Sequence, residues 1–225
     1  MTWSPLALAD LHLNVLYERD EAGLLVRVRS TTIAPPSFHL VRTVDGNRWL
    51  ISAAMSKDLR AELKETLSHE PVVRTLAEME RRPPLHSVQD WYRGPAFVFP
   101  NPLPVAPVAA EVLGDARRAR TVPELSWVRD VTPAERPATV VRSSSGEVVS
   151  VCHSARATDA GAEAGVETAN RHRGRGLAGA VVAAWATAIL AEGRLPLYST
   201  QWTNRASRGV ARKLGLIQYG EDCHD

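Results

Sequence analysis

The last third of the chain alternates strand-like and helix-like segments, and that order limits the fold more than any other feature. Glu163 to Thr168 reads as a short strand. Gly176 to Ala191 reads as a helix, with Leu177, Val181, Ala184, Trp185 and Ala188 on one face. Gly193 can end this helix, and Pro196 prevents its resumption. Leu197 to Thr200 is a second strand. Asn204 to Leu214 is a second helix, with a capping Asn at its start and Gly215 at its end. Leu216 to Tyr219 is a final short strand. Strand, helix, strand, helix, strand predicts a sheet with helices packed on its faces.

The first of these helices opens on Arg173-Gly174-Arg175-Gly176-Leu177-Ala178. Amides in the first turn of a helix have no partner inside it, and the helix dipole adds partial positive charge there. Gly174 and Gly176 remove side chains that would block close approach. Arg173 and Arg175 add charged donors. The loop is therefore built to hold phosphate oxygens, and a pyrophosphate-bearing ligand is expected in the C-terminal half.

The chain has 225 residues, 44% of them hydrophobic and 23% charged, which predicts a core-forming protein. A formal net charge of +2, with basic residues scattered among acids, does not call for nucleic acid. Only two cysteines occur, Cys152 and Cys223, so a reducing, cytoplasmic setting is expected. Met1 to Asp10 does not resemble a signal peptide, and no stretch approaches the roughly 20 apolar residues of a membrane span. No His/Cys/Asp cluster has metal-ligand spacing, so no metal is expected.

The first part, to about Arg82, reads as mixed α/β. Leu24 to Ser30 alternates in strand fashion. Phe38 to Thr43 and Arg48 to Ser52 flank Val44-Asp45-Gly46-Asn47, a hairpin signal. Ser56 to Ser68 reads as a helix capped by Ser56, with Leu59, Leu63 and Leu67 every four residues. Pro71 to Arg81 reads as a short helix, and Arg82-Pro83-Pro84-Leu85 as a boundary. Ala96 to Phe99 is a strand candidate. Pro100, Pro102, Pro104 and Pro107 predict a stiff crossover, and Val108 to Arg120 a helix. Thr139 to Arg142 and Glu147 to Arg156 read as strands joined by a turn at Ser143 to Gly146.

Neither of two common phosphate motifs is complete. A Walker loop needs Gly-Lys-Ser/Thr, and Leu177-Ala178 stands there instead. The dinucleotide fingerprint is met in part by Gly174, Gly176 and Gly179, but the next strand ends Ser199-Thr200-Gln201-Trp202 without an acid. A nucleotide-dependent oxidoreductase is the third-ranked reading for that reason.

Arg173-x-x-Gly176-x-Ala178, then Asn204-x-x-Ser207 and Lys213-x-Gly215-Leu216, resembles the GNAT superfamily of acyl-CoA N-acyltransferases. The resemblance covers roughly Ala138 to Glu221. It implies an α/β fold of α+β type: a mixed, mostly antiparallel central sheet flanked by helices. A domain over residues 91–225 would then follow an N-terminal α/β extension over residues 1–90.

The resemblance implies acetyl-CoA as co-substrate and transfer of an acetyl or other short acyl group to a small-molecule or peptide amine. Amides of Arg173, Gly174, Arg175, Gly176, Leu177 and Ala178 would hold the pyrophosphate. The strand edge at Val166, Glu167 and Thr168 would pair with the pantetheine arm, and an amide near Glu167 or Thr168 would polarise the thioester carbonyl. Asn204, with Ser207 beside it, would contact the arm from the other side. The amine must lose a proton, and Glu163 and Glu167 are the candidate bases, on one strand face by two-residue periodicity. In the family the base often sits several residues before the strand's end, so the resemblance favours Glu163.

Two departures stand out. Many family members carry a Tyr seven residues after the Asn to protonate the leaving thiolate; here Ala211 stands there. Tyr198, Ser207 and Tyr219 are the substitute donors to weigh. Only one strand follows the last helix, so a further strand is expected from the N-terminal region or from a partner chain, as in a homodimer. The alternative to transfer is a non-catalytic CoA-binding or interaction module. Neither nucleic acid nor membrane is expected as a partner. Asn204 also reads as a plain N-cap, Trp185 and Cys152 as core, and His153 as a packed strand histidine. Trp202 either lines an acceptor pocket or packs on a neighbour.

Overall fold

The computed structural model describes residues 3–69, 91–103 and 108–225. Two compact units emerge: Met1–Pro95 with Tyr219–Asp225, and Ala96–Gln218. The expected helix over Pro71 to Arg81, the boundary at Arg82 to Leu85, and Pro104 and Pro107 lie outside the described residues.

In the first unit, Ser4 caps α1 (Pro5–Leu16), its hydroxyl accepting from the Ala7 amide at 3.2 Å. Pro5 occupies a first-turn position where a missing N–H costs nothing. Strands β1 (Tyr17–Arg19) and β2 (Leu25–Val28) form an antiparallel pair. Strands β3 (Phe38–Thr43) and β4 (Gly46–Ile51) form the expected hairpin. Gly46 takes φ +129°, a conformation closed to most side chains. Ser56 accepts from Leu59 N at 3.3 Å to start α2 (Lys57–His69), and Leu63 is fully buried. The core of this unit gathers Phe38, Leu40, Ile51, Met55, Leu63 and Cys223.

The last strand of the chain, β11, runs from Ile217 to His224. It pairs antiparallel with β3, from Gly220 opposite Thr43 to His224 opposite His39. The further strand therefore comes from the N-terminal region. Buried polar groups reinforce this pairing. Tyr219 Oη and His12 Nδ1 are 2.7 Å apart, as are Tyr17 Oη and His39 Nδ1. Asp222 Oδ1 lies 3.7 Å from His12 Nδ1 and 3.6 Å from His39 Nε2. The tyrosine contacts offset part of the cost of burying imidazoles.

In the second unit the strand order is the end of β5 (Tyr92–Val98) from Ala96 on, then β10 (Leu195–Ser199), β9 (Gly161–Thr168), β8 (Val148–Ala157), β7 (Ala138–Arg142) and β6 (Glu111–Val112). Of these neighbours only β9 and β10 run parallel. The sheet is thus mixed and mostly antiparallel, flanked by helices, as the resemblance implies. Alternation along β8 places Cys152 on one face and Val151 on the other. Helix α3 (Leu177–Ala191) packs on the Cys152 face around Ala162, Trp185, Ile189 and Tyr198. The opposite face carries Ala138, Val140, Val148 and Val151 against Leu125 and Val128 of the 3-10 segment Pro123–Asp130. Burying each large apolar side chain is worth about 1.5–3 kcal/mol. Trp185 also donates to Ser154 Oγ at 3.1 Å, so its one polar atom is satisfied inside the core.

Two expectations are corrected, and one element is new. Val108 to Arg120 is not a helix; it holds β6 and a 3-10 turn at Ala116–Arg118. Asp115 takes the Arg117 amide locally, and the helix loses to that bond. The buried face of α3 is also rotated from the expected one: Val182, Ala183, Ala186 and Ile189 are buried, while Ala184 and Ala188 are only half-buried. A helix this rich in alanine is apolar all round, so periodicity marks its face poorly. Finally, α1 has no counterpart among the expected elements, although Ser4-Pro5 is a helix start.

Candidate functional site

The Gly-rich turn and the end of β9 lie next to each other along the second unit. Gly174 and Gly176 take φ +77° and +79°, and Gly176 is the N-cap of α3. A Cβ on either would meet nothing within 4 Å. The first α3 bond is Ala180 N to Gly176 O at 3.2 Å. Of the expected amides, that of Arg173 is spent on Asn170 O at 3.3 Å, because the preceding 3-10 turn takes it; among the described residues, those from Gly174 to Gly179 donate to no protein acceptor. The turn is thus open and its amides unspent, as an anion cradle requires. The arginines fold back: Arg173 Nε donates to Thr168 O at 3.1 Å and Arg175 Nη2 to Arg171 O at 3.3 Å.

Strand β9 is paired along its length by β8 but only over Gly161 to Glu163 by β10. From Ala164 to Thr168 its second edge has no strand partner among the described residues. Ala169 N donates to Val149 O at 3.0 Å, which sets the alternation. The Gly165 and Glu167 amides then face β8, and the Val166 and Thr168 amides face the unpaired edge. Of the expected pair, Thr168 rather than Glu167 therefore presents its amide outward.

The two candidate carboxylates share the face opposite α3, but their surroundings differ. Glu163 is 6% exposed, and Ser199 of β10 donates to its Oε1. Glu167 is exposed, and its Oε2 accepts from Trp127 Nε1 at 3.0 Å. The extra residue in the β8/β9 register lies on β8, between Ser154 and Arg156, so β9 keeps its alternation.

Helix α4 (Arg205–Lys213) supplies the remaining expected residues. Asn204 is its N-cap, with Oδ1 accepting from Ser207 N at 3.0 Å. Ser207 Oγ is hydrogen-bonded to Tyr198 Oη. Burial pushes the Tyr198 phenol up to about 12, so it stays protonated. Ala211 is 1% exposed and lies in the core. Tyr219 of the first unit is bonded to His12 instead. Trp202 packs under the Arg208 guanidinium, 5.1 Å from its ring centroid. Burial also raises the Cys152 thiol, which fits an inert core cysteine.

Residues 139–221 match the GNAT acetyltransferase family. The segment belongs to the GNAT superfamily. No curated protein matches the chain. Among solved structures, the chain is similar to a GNAT-family protein from Novosphingobium aromaticivorans, with 19% identity over 60% of this chain and 64% of that one, and a TM-score of 0.48. The match thus spans just under two thirds of that protein. A GCN5-related N-acetyltransferase-like protein from Streptococcus suis is similar at 19% identity over 84% of both chains, TM-score 0.47. A GCN5-related N-acetyltransferase from Kribbella flavida is similar at 20% identity over 68% of this chain and 62% of that one, TM-score 0.47. Among the described residues, no helix is long and apolar enough to cross a membrane.

The second unit also gathers residues that lie far apart in the sequence. Trp127, Glu135 and His153 stand around Gly165 and Glu167. Trp127 and Glu135 lie in 3-10 turns without periodic signal. Only the strand position of His153 opposite a glycine marks it, and that pairing leaves no trace in the local sequence of either strand.

Proposed function

We propose that the protein is an N-acyltransferase that moves an acetyl or other short acyl group from CoA to an amine by direct attack. The observation that carries this reading is the open run of unbonded amides from Gly174 to Gly179, adjoining the unpaired edge of β9. The amides of Gly174 to Ala178, with Arg173 and Arg175, bind the diphosphate. The Val166 and Thr168 amides pair with the pantetheine arm as an added strand, and the latter donates to the thioester oxygen as it gains charge. Asn204 keeps its Nδ2 for the arm while Oδ1 caps α4. Glu163 and Glu167 line the face from which an amine approaches. Tyr198, held by Ser207 and protonated at neutral pH, is the substitute for the phenol absent at Ala211.

Calorimetry with acetyl-CoA, followed by thiol release in the presence of a panel of primary amines, tests the proposal. Micromolar binding and amine-dependent release are expected. Absence of binding sinks it. Ala211 favours one second reading, a CoA-binding module without turnover, which tight binding and no thiol release across the panel would support.

A further inference from the structure

His153 stands on β8 directly opposite Gly165 of β9. A Cβ on Gly165 would lie 2.5 Å from His153 Nε2 and 2.9 Å from Cδ2. Any side chain there would displace the imidazole, so Gly165 is what lets the ring lean from β8 across β9. Its Nε2 end thus sits over the strand whose far edge, Ala164 to Thr168, is the one assigned to the thioester arm. Nδ1 is buried without a hydrogen-bond partner, and Glu135 Oε1 is 3.8 Å from it. Trp127 packs on the ring with centroids 5.0 Å apart, and the side chain is 16% exposed. Both nearby carboxylates are already held, Glu163 by Ser199 and Glu167 by the Trp127 indole.

We infer that His153 is the base that takes the acceptor's proton, with Glu135 as its positioning residue; this rests on the transferase reading above. The amine nitrogen forms a bond to the thioester carbonyl carbon, and its acidified N–H passes a proton to Nε2. The tetrahedral intermediate then collapses, the C–S bond breaks, and CoA leaves as a thiolate. Tyr198 gives its proton to that thiolate and is reprotonated through solvent as the imidazolium gives up its own, leaving an amide, free CoA, a phenol and a neutral ring.

The charged groups facing the ring are Glu135 from the 3-10 turn Pro133–Glu135, Arg156 from β8 and Glu167 from β9. Burial lowers the imidazole's affinity for protons, Arg156 lowers it further, and the two carboxylates partly restore it. The ring is therefore neutral, with its lone pair available, at neutral pH.

The test follows thiol release from acetyl-CoA between about pH 5 and pH 9, with water, spermidine and a lysine-containing peptide as nucleophiles. The wild-type rate is expected to fall on the acid side with an apparent pKa below about 6.5. His153→Gln should lose that limb and slow release by about 10²–10⁴-fold while its acetyl-CoA affinity by calorimetry is unchanged. Glu135→Gln should move the limb to lower pH, which a merely structural role would not do. Gly165→Ala, which crowds Nε2 without altering any charge, should slow release as well. The assignment is overturned if His153→Gln keeps the limb and the rate, if the limb disappears in Glu163→Gln instead, or if the wild type binds acetyl-CoA and releases no thiol. A wild type that does not bind acetyl-CoA at all defeats the transferase reading itself.

Discussion

Trp127 Nε1 donates to Glu167 Oε2 at 3.0 Å, tying the 3-10 segment Pro123–Asp130 to the end of β9. The contact crosses the face of the sheet that carries His153, and the same indole packs on that imidazole. One side chain thus holds both a candidate base and the carboxylate beside it.

Replacing Trp127 with Phe keeps an aromatic ring and removes the donor. A net hydrogen bond is worth about 0.5–1.5 kcal/mol. Trp127→Phe is expected to lower stability by that amount in a urea titration and to leave acetyl-CoA affinity unchanged, because the indole lies on the other face from the Gly-rich turn's helix. A tenfold loss of affinity would mean that β9 moves with the indole.

Gly176→Asp is expected to weaken acetyl-CoA binding at least tenfold by calorimetry. The carboxylate repels a diphosphate, and φ +79° disfavours any side chain at that cap. Gly176→Ala separates the two causes. It should lower stability by about 1 kcal/mol and affect binding less. Equal binding by wild type and the Asp variant would place the diphosphate elsewhere.

Gly220 is required for a different reason. A Cβ there would lie 2.8 Å from Arg42 O, a backbone atom of the paired strand β3. Gly220→Ala is expected to destabilise the protein by about 1–3 kcal/mol, read as a lower denaturation midpoint. A silent substitution would show that β11 and β3 separate more easily than their register suggests.

Stability should fall as the solution is acidified. Burial lowers the His224 pKa first of all, with His39 adding to the effect; His153 is lowered mainly by burial too. A depressed imidazole stays neutral in the folded protein while the unfolded chain takes up protons from about pH 6.5 downward. The unfolded state then binds more protons, so stability is lost as pH drops through that value and continues to fall towards the lower folded pKa. His224 also stacks on Tyr92, with centroids 4.5 Å apart and an interplanar angle of 10°. His224→Phe keeps the stacked ring and removes the proton site. Its melting temperature should therefore depend less steeply on pH between about 5 and 7 than that of wild type. An unchanged slope would exclude His224 as a contributor.

The features legible in the sequence are those set by neighbours in the chain. Asp45-Gly46 announces its hairpin because only a residue tolerant of positive φ closes it. Asn204 announces the start of α4 because its side chain reaches an amide three residues on. The Gly174–Gly176 turn announces the start of α3 because its glycines accept positive φ and the amides that open a helix are left unbonded by local geometry.

What the sequence by itself determined is therefore the order of strands and helices from Glu163 onward and the glycine turn that opens α3. The tertiary structure alone decided that β3 pairs with β11, that α3 buries Val182 and Ile189, and that Glu163 sits buried beside Ser199 while Glu167 meets an indole. It alone placed His153 over Gly165. These relationships join residues far apart in the chain, and register across a sheet leaves no periodic trace in either partner; only the packing of the folded unit selects them.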